Sequence, residues 1–530
     1  MMVNKIQGPG IAVIFAAVLF LCWWKGIFLP NWVDWKIRDY SYEEAQVQLA
    51  NHHMELVEEQ QDGTLGKVYQ TPWDWNVQEA LPFDINHDGT EELILLVWKH
   101  GSYGNHRPIW EKHNDIRLEQ HIFIYQWDKT RVTKLRPVWM SSALGYEVTS
   151  ITRGERDGLI VTDRNDNSKV WKWEDFGLVL AGEAKEMQVS FLAAGDNLIH
   201  TSLLQDKRDG YDYLYDHVRE EVQQADLASL NQETVFVKDH GLISDYPHFG
   251  TPIEVGDAIV KVGFDIVTLA NNHILDKELY GVKVTTSFYK EQEGMTYVGV
   301  NPPKHKTAPE ITDLEQTVVE ETAPEITASE QTVVEEAAPE ITAPEITAPE
   351  QTVAEERTSA VALNRPEEAV KFVNKNGIRI ALLNYTYGTN GIPSPTEYPY
   401  LVERFRDEER MLQQIDYARV RADAVIVFAH WGTEYSLDVD EEQQRISDLL
   451  LEHEVDVVIG THPHVLQPYE IRTGADGHQM LIYYSLGNLV SGQDKPECQI
   501  GGLAKFNIIK APNGSVSIQD AELKEIQFQR

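Results

Sequence analysis

The sequence predicts an α/β domain that follows a smaller, mostly-β module and an apolar N-terminal segment. Three observations support this prediction. Apolar, β-branched runs alternate with charged helical stretches over residues 187–303 and 362–525. Twelve of the 13 tryptophans precede residue 174, so the composition changes near residue 186. A chain of 530 residues is also too long for one hydrophobic core.

Charge and cysteine content exclude several classes of function. The chain has 46 Lys and Arg against 84 Asp and Glu, a net charge of −38. Nucleic acid is therefore not an expected partner, because phosphate binding needs a basic face. Cys22 and Cys498 are too few for a disulfide framework, and neither belongs to a thiolate metal motif. Any metal site must use His, Asp, Glu and Asn.

Residues 1–30 are predicted to form a signal-anchor transmembrane helix. The apolar run from Ile11 to Trp24 is short for a span, but Lys25 can snorkel and extend the usable segment to Leu29. Tryptophans on the C-terminal side of this run fit an interfacial aromatic belt. A cleaved signal peptide is the alternative, although no small-x-small cleavage site follows.

Residues 40–186 form the Trp-rich module, which we expect to be extracellular and mostly β. Apolar runs alternate with turn signals, and residues 124–135 and 170–180 resemble two related hairpins. A helix is predicted at the start of the module, over residues 42–60. The role of this module, as a binding unit or a spacer, stays open at the sequence level.

One loop of this module has the pattern of a calcium site. Asp84, Asn86, Asp88 and Glu92 occupy positions 1, 3, 5 and 9 of a loop with glycine at position 6. Position 12 is Leu95 rather than Glu, so the loop is not an EF-hand. A structural calcium ion is predicted here, and a plain Asp-Gly turn is the alternative.

Residues 304–361 interrupt the α/β pattern with an acidic Pro/Glu/Thr repeat. The string TAPEIT recurs after fifteen residues, and 14 acidic and no basic side chains lie between Thr307 and Glu356. This composition cannot bury a core, so we predict a disordered surface insert.

Six apolar runs of the α/β region end in residue types that bind metals or move protons. The ends of these runs carry Asp196, Glu233, Asn272 with His273, His430, His462 with His464, and Asn488. Taken singly, each residue is as readily a turn former or a helix cap. Because ligands bind beyond the carboxyl ends of strands in α/β sheets, their joint occurrence predicts one shared site.

The residue types also restrict the metal. Carboxylate, amide and imidazole ligands without thiolate suit Mn, Fe or Zn ions rather than a structural Cys-rich zinc. Two such ions about 3.5–4 Å apart would clamp a phosphoryl group.

The same segments resemble a known family. AAGDNLIH, LNQE, GFDIVTLANNHILD, AHWGTEY, GTHPHVLQPYE and YYSLGNLVSGQ look like the motifs of CapA-type proteins of poly-γ-glutamate capsule biosynthesis. The resemblance covers about 187–300 and 362–525, with all motifs in order. It implies a four-layer α/β/β/α sandwich similar to calcineurin-like metallophosphoesterases, and a metal-dependent hydrolase of that type.

The resemblance also implies roles for individual residues. Asp196 and His464 would bind a first metal, Glu233 would bridge, and Asn272, His430 and His462 would bind a second. His273 would act on the leaving oxygen, with Asp276 and Glu434 as further catalytic residues. Thr386, Asn390 and Asn488 would contact substrate, a Gly/Asn turn being the alternative for the 384–391 loop. Leu198 stands where related phosphoesterases have a metal-binding His, and Glu233 where they have Asp, so one ion or two is left open.

The implied function is a component of poly-γ-glutamate synthesis or export at the cell membrane. Its single anchor would leave the bulk of the chain outside the cell. The expected partners are the membrane, the polyanionic polymer or a phosphorylated substrate, and other membrane subunits of capsule synthesis. A generic secreted phosphohydrolase and a non-catalytic scaffold with a degenerate site are the two alternatives.

Overall fold

The computed structural model describes residues 29–302 and 365–528, apart from 61–63, 105–106, 108, 110, 114–116, 155–157 and 205–209. The predicted membrane helix at 1–30 (but for its last two residues) and the acidic insert at 304–361 therefore lie outside the described residues. Among the helices that are described, none has both the length and the apolar character needed to cross a membrane.

The N-terminal module consists of three consecutive four-stranded antiparallel sheets. The first contains β1 (Arg38–Tyr42), β2 (Ala45–Ala50), β3 (His53–Glu59) and β4 (Leu65–Gln70). The second contains β5 (Asn76–Phe83), β6 (Glu92–His100), β7 (Leu118–Trp127) and β8 (Leu135–Met140). The third contains β9 (Val148–Arg153), β10 (Gly158–Asp163), β11 (Ser168–Glu174) and β12 (Gly177–Glu183). The two hairpins expected from the sequence are β7–β8 and β11–β12.

The predicted helix over residues 42–60 is wrong, because this stretch forms strands β1 to β3. In β2 the buried side chains of Ala45, Val47 and Leu49 alternate with the more exposed Gln46 and Gln48. A period of two places one face of a strand in a core, whereas a helix would bury every third or fourth residue. The buried face packs with the second sheet around Leu95 and Phe123.

The α/β domain contains two sheets. The first sheet has the order β18 (Thr296–Val298), β17 (Ile266–Thr268), β14 (Leu227–Gln232), β13 (Met187–Leu198), β26 (Ile500–Lys510) and β27 (Val516–Gln527), and β25 (Asn488–Ser491) also pairs with β13. The second has the order β19 (Lys371–Lys375), β20 (Ile378–Thr386), β21 (Ala424–His430), β22 (Val457–Thr461), β24 (Gln479–Tyr483) and β23 (Tyr469–Thr473). The short strands β15 (Phe236–Val237) and β16 (Thr251–Pro252) pair with each other.

Three buried clusters define the layers of this domain. One lies between the two sheets and includes Phe191, Phe428 and Phe506. A second joins the first sheet to α1 (Arg219–Gln224), α2 (Glu254–Val262) and α3 (Glu278–Glu291). A third joins the second sheet to α4 (Glu408–Arg419) and α5 (Glu441–Glu452). The mixed α/β class is confirmed, and the layers run helix, sheet, sheet, helix.

The central strands of both sheets are parallel and run in one sense. β13, β14, β17 and β18 pair in parallel in the first sheet, as do β20, β21, β22 and β24 in the second. β21 is buried along its whole length, as is typical of a strand covered on both faces. The carboxyl ends of these strands thus meet at one edge of the sandwich, which positions the site.

Polar contacts join the module to the α/β domain. The Arg421 side chain is 2% exposed, and its guanidinium donates to a Glu91 carboxylate oxygen at 2.9 Å and to the carbonyl oxygen of Ser41 at 2.8 Å. The Lys510 ammonium donates to the carbonyl oxygen of Arg153 at 2.6 Å and pairs with Asp423. A buried cation without partners would be costly, so these contacts hold the two parts together.

Candidate functional site

Six potential metal ligands that the sequence predicted converge at the carboxyl ends of the central strands. Asp196 lies near the end of β13, Glu233 follows β14, and His430 ends β21. Asn272 lies beyond β17, and His462 and His464 lie beyond β22. All six are at most 4% exposed.

The carboxylates and imidazoles form two groups that share one residue. Glu233, His430 and His462 make one group, and Asp196, Glu233 and His464 make the other. Within each group the ligand atoms lie within 4.8 Å of one another. Oε1 of Glu233 lies 3.8 Å from Nε2 of both His430 and His464. Glu233 therefore stands between two clusters, in the position expected of a bridging ligand.

Several atoms of these clusters have no hydrogen-bond partner within the described part of the chain. Both carboxylate oxygens of Glu233 and Nδ1 of His462 are buried and unpartnered. Burial of an ionisable group without a partner is costly. Bound divalent cations would supply partners that these residues lack, so the residues present fit a metal site.

Asn272 and a second asparagine extend the clusters. The Asn272 amide oxygen lies 2.9 Å from Nε2 of His430. Asn231 donates through Nδ2 to a carboxylate oxygen of Asp196 at 2.7 Å and lies 3.3 Å from Nδ1 of His430. The Thr461 hydroxyl also lies 3.0 Å from that Nδ1. Such contacts orient a ligand ring and select its tautomer.

The loop that carries His462 and His464 adopts an unusual backbone. His462 has φ 99° and His464 has φ 60°, values that non-glycine residues rarely take. The His462 amide donates to Asp196 at 3.1 Å, and Nδ1 of His464 lies 3.1 Å from the Asn488 amide oxygen. Strained backbone of this kind persists where the surroundings hold it in place, and it is common at functional sites.

The electrostatics divide the imidazoles into two kinds. Burial and the neighbouring His464 lower the pKa of His462 to about 3, and burial with the other imidazoles also lowers the pKa of His430. Burial alone would lower the pKa of His464, but the carboxylates of Glu233 and Asp196 raise it to about 9. Burial and the Asp196 charge raise the pKa of Glu233. Without metal, the cluster of Asp196, Glu233 and His464 therefore retains a proton on His464.

This proton predicts how stability depends on pH in metal-free protein. The pKa of His464 is about 9 when folded and about 6.5 ordinarily, so the folded state keeps a proton that the unfolded chain has released. Its contribution to stability is complete below pH 6.5 and is lost as the pH rises through 9. We expect the difference in unfolding free energy between wild type and His464→Gln to shrink over that range. Urea unfolding with a chelator checks this, and a constant difference contradicts it.

His273 and Asp276 form a pair beside the metal clusters. Nδ1 of His273 lies 2.7 Å from a carboxylate oxygen of Asp276, which also accepts the Phe249 amide at 2.7 Å. The Phe249 ring packs against the imidazole with 4.9 Å between centroids. The carboxylate thus fixes the ring with its other nitrogen available, as a general acid requires.

The remaining predicted residues differ in how closely they approach the site. Asn390 contacts both Asn272 and His273, at 3.3 and 3.4 Å, and Asn488 contacts His464. The Thr386 hydroxyl instead bonds within its own turn, at Gly388.

The third predicted catalytic residue, Glu434, lies at the surface. Its side chain is exposed. It is close enough for its charge to contribute to the raised pKa of Glu233. Glu434 therefore borders the site without entering it.

Sequence reasoning missed several residues that complete the site. The Tyr387 ring lies 4.6 Å from that of His462, and the Tyr435 ring lies 6.0 Å from that of His464. Both tyrosines follow predicted motif residues directly, and that proximity was the available signal. Asn231 lies two positions before Glu233, whereas Thr461 resembles an ordinary strand residue.

The predicted calcium loop is ordered by hydrogen bonds among its own residues. The Asn86 amide donates to Glu92 at 2.8 Å and to Asp88 at 3.2 Å, and the Gly89 amide donates to Asp84 at 3.2 Å. Burial, together with the Asp88 and Asp84 charges, raises the pKa of Glu92 to about 7. Calcium binding here stays a prediction.

Comparison with solved structures finds distant similarity. A putative 5′-nucleotidase from Staphylococcus aureus is 13% identical with a TM-score of 0.34, covering 65% of this chain and 55% of that one. A Haemophilus influenzae NAD nucleotidase is 10% identical with a TM-score of 0.33, covering 65% and 51%.

Comparison with curated proteins finds two relatives. The PGA biosynthesis protein CapA of Bacillus subtilis (strain 168) is 28% identical over 165 residues, 31% of this chain and 42% of the relative. The capsule biosynthesis protein CapA of Bacillus anthracis is 24% identical over 310 residues, 57% of this chain and 59% of the relative. The chain thus spans about half the length of these relatives.

A family model locates the match on the chain. The model described as bacterial capsule synthesis protein PGA_cap matches residues 190–493, more than half of the 530 residues. The matched range begins in β13, ends just after β25, and contains all six predicted metal ligands. This chain belongs to the PGA_cap family of bacterial capsule synthesis proteins.

Proposed function

We propose that this protein is a membrane-anchored, extracytoplasmic component of poly-γ-glutamate capsule synthesis or export with a metal-dependent, phosphoesterase-like site. The observation that carries the proposal is Glu233, a buried carboxylate that belongs to both ligand clusters and has no hydrogen-bond partner among the described residues. Family membership supports the capsule role, and the printed names of the curated relatives agree with it.

Asp196, Glu233 and His464 would hold one divalent ion, and Glu233, His430 and His462, with Asn272, the other. Mn, Fe and Zn ions suit these ligands, and when bound they stabilise negative charge on a phosphoryl group. The first cluster has one imidazole because Leu198 replaces a histidine, so we expect it to bind its ion more weakly than the second.

The chain's own residues supply the remaining chemistry. His273, oriented by Asp276, would donate a proton to the leaving oxygen. Asn390 lies beside that imidazole and would position the substrate. The substrate is the polymer itself or a phosphorylated intermediate of its synthesis. The membrane, through residues 1–30, and other capsule-synthesis subunits are the proposed partners, with the bulk of the chain outside the cell.

Replacement of His462 by Ala tests the site. We expect the wild type to hydrolyse an artificial phosphodiester, bis(4-nitrophenyl) phosphate, in the presence of Mn²⁺, and His462→Ala to lose this turnover because the second cluster loses a ligand. His240→Ala is the matched control, since His240 is half exposed and pairs with Glu254 on the surface. Unchanged turnover in His462→Ala would count against the site. The capsule role is tested separately, by loss of surface polyglutamate after gene deletion.

A further inference from the structure

A lysine lies at the edge of the site. Lys495 is exposed, and its Nζ lies 3.2 Å from the centroid of the Tyr435 ring. A cation above an aromatic face is attracted to the ring, which restricts the long and otherwise flexible side chain. Within the residues that the structure describes, Lys495 makes no ion pair with a carboxylate.

Tyr435 connects this cation to the metal ligands. Its ring lies 6.0 Å from the His464 ring, and its amide donates to the carbonyl oxygen of Pro463 at 2.8 Å. The segment carrying Tyr435 is therefore tied to the loop that presents His462 and His464. Because Lys495 rests on that ring, its ammonium lies on the solvent side of a tyrosine that packs near the metal ligand His464.

A second chain of contacts holds the same arrangement from the other side. The Asn488 amide group lies 3.1 Å from His464 and donates to the Gln493 amide oxygen at 3.0 Å. The Gln493 amide in turn donates to the Tyr435 hydroxyl at 3.3 Å. The lysine follows Gln493 by two residues, so its backbone is positioned by the network that also orients His464.

The charges nearby explain why a cation is needed here. Asp196 and Glu233 are buried in the site, and burial together with the charge of the exposed Glu434 raises the pKa of Tyr435. An acidic substrate that approaches these groups is repelled unless positive charge lies on its path. Bound metal ions offset the buried carboxylates. Lys495 and Glu434 both lie near Tyr435, so Lys495 adds positive charge close to the surface carboxylate.

We propose that Lys495, held over Tyr435, binds a carboxylate of an acidic polymer whose neighbouring group occupies the metal site. The proposal rests on the proposed function, and it adds Lys495 as a residue that contacts the polymer outside the metal site. The ammonium group of an exposed lysine suits a repeating anionic polymer better than a rigid pocket would. Successive carboxylates of the polymer can exchange at this one group.

Calorimetric titration of the full chain in detergent tests this, with a short γ-linked glutamate oligomer as the probe and Mn²⁺ present. We expect Lys495→Ala to weaken binding about fivefold, a typical effect for an exposed charge, and Lys495→Glu to weaken it further. Lys495→Arg should restore most of the affinity. Lys185→Ala is the matched control, because this exposed lysine precedes β13 at the end opposite the site.

Each outcome either supports or overturns the proposal. Oligomer affinity that is equal in wild type and Lys495→Glu, or absent from metal-loaded wild type, overturns it. An effect of Lys495 confined to inorganic tripolyphosphate, titrated in parallel, also overturns the assignment to carboxylates. Failure of wild type to bind Mn²⁺ contradicts the proposed function instead. The Lys495 comparison is repeated with chelator, so that the two failures are distinguished.

Discussion

Replacement of Glu233 by Gln should stabilise the metal-free protein and at the same time remove its ability to bind divalent metal. Both carboxylate oxygens are buried and have no hydrogen-bond partner in the part of the chain that the structure describes, and burial raises the pKa of the group. The neutral amide avoids the cost of burying a charge, and Asp196, 3.4 Å from Nδ1 of His464, still pairs with the proton on that imidazole. Because Glu233 belongs to both clusters, its replacement should weaken Mn²⁺ binding by at least about 100-fold. Substitution of a residue that only orients a metal ligand already lowers metal affinity by about 10- to 100-fold.

Thermal unfolding with chelator and with Mn²⁺ measures both effects. The wild type should gain stability from Mn²⁺, whereas Glu233→Gln should begin at a higher melting temperature and gain nothing. Glu434→Gln is the matched control, because it makes the same exchange on an exposed side chain at the edge of the site. A variant that melts lower without metal, or that still responds to Mn²⁺, would contradict the bridging position of Glu233.

Replacement of Gly195 by Ala should have a large effect on folding. A Cβ atom at this position would lie 2.0 Å from the carbonyl oxygen of Gly487, and that oxygen already accepts the amide of Asp196 at 2.9 Å. The backbone fixes the positions of both the Cβ atom and the carbonyl oxygen, so a rotamer change cannot separate them. We expect a loss of about 3 kcal/mol of unfolding free energy, at the upper end of overpacking effects.

Urea unfolding measures this loss. Gly388→Ala is the control, since a Cβ atom there meets nothing within 4 Å and its φ is not in the left-handed region. If Gly195→Ala unfolds within about 0.5 kcal/mol of the wild type, an ordinary surface effect, then β13 and β25 do not pass as closely as the structure has them.

The candidate ligands could be predicted because each follows an apolar strand directly. That placement is a local signal, and the topology of parallel strands brings local signals together at one edge. Asn231 shows where this reasoning stops. Its contacts reach Asp196, 35 residues away, and His430, 199 residues away, and no sequence period encodes such pairs. The orientation of the imidazoles is likewise a property of tertiary packing.

The fold was predicted correctly for the α/β domain but not for the start of the N-terminal module. Long apolar runs such as β21 identified the strands of the α/β domain, because burial on both faces leaves an unbroken hydrophobic segment. Strand β2 lies in the stretch predicted as a helix, although its residues alternate between apolar and polar from Ala45 to Leu49. The period of two was therefore visible in the sequence, and the second sheet covers the apolar face that includes Val47.

The contacts of Arg421 have a mechanical consequence. Its guanidinium is buried at the junction and hydrogen-bonded to Glu91 and Ser41. The three-sheet module therefore cannot rotate against the α/β domain without leaving a buried charge unpaired. A partner bound to the module would therefore also hold the metal-ligand clusters in a fixed orientation. The proposed polymer substrate would therefore approach the ligand clusters from a fixed direction relative to the module.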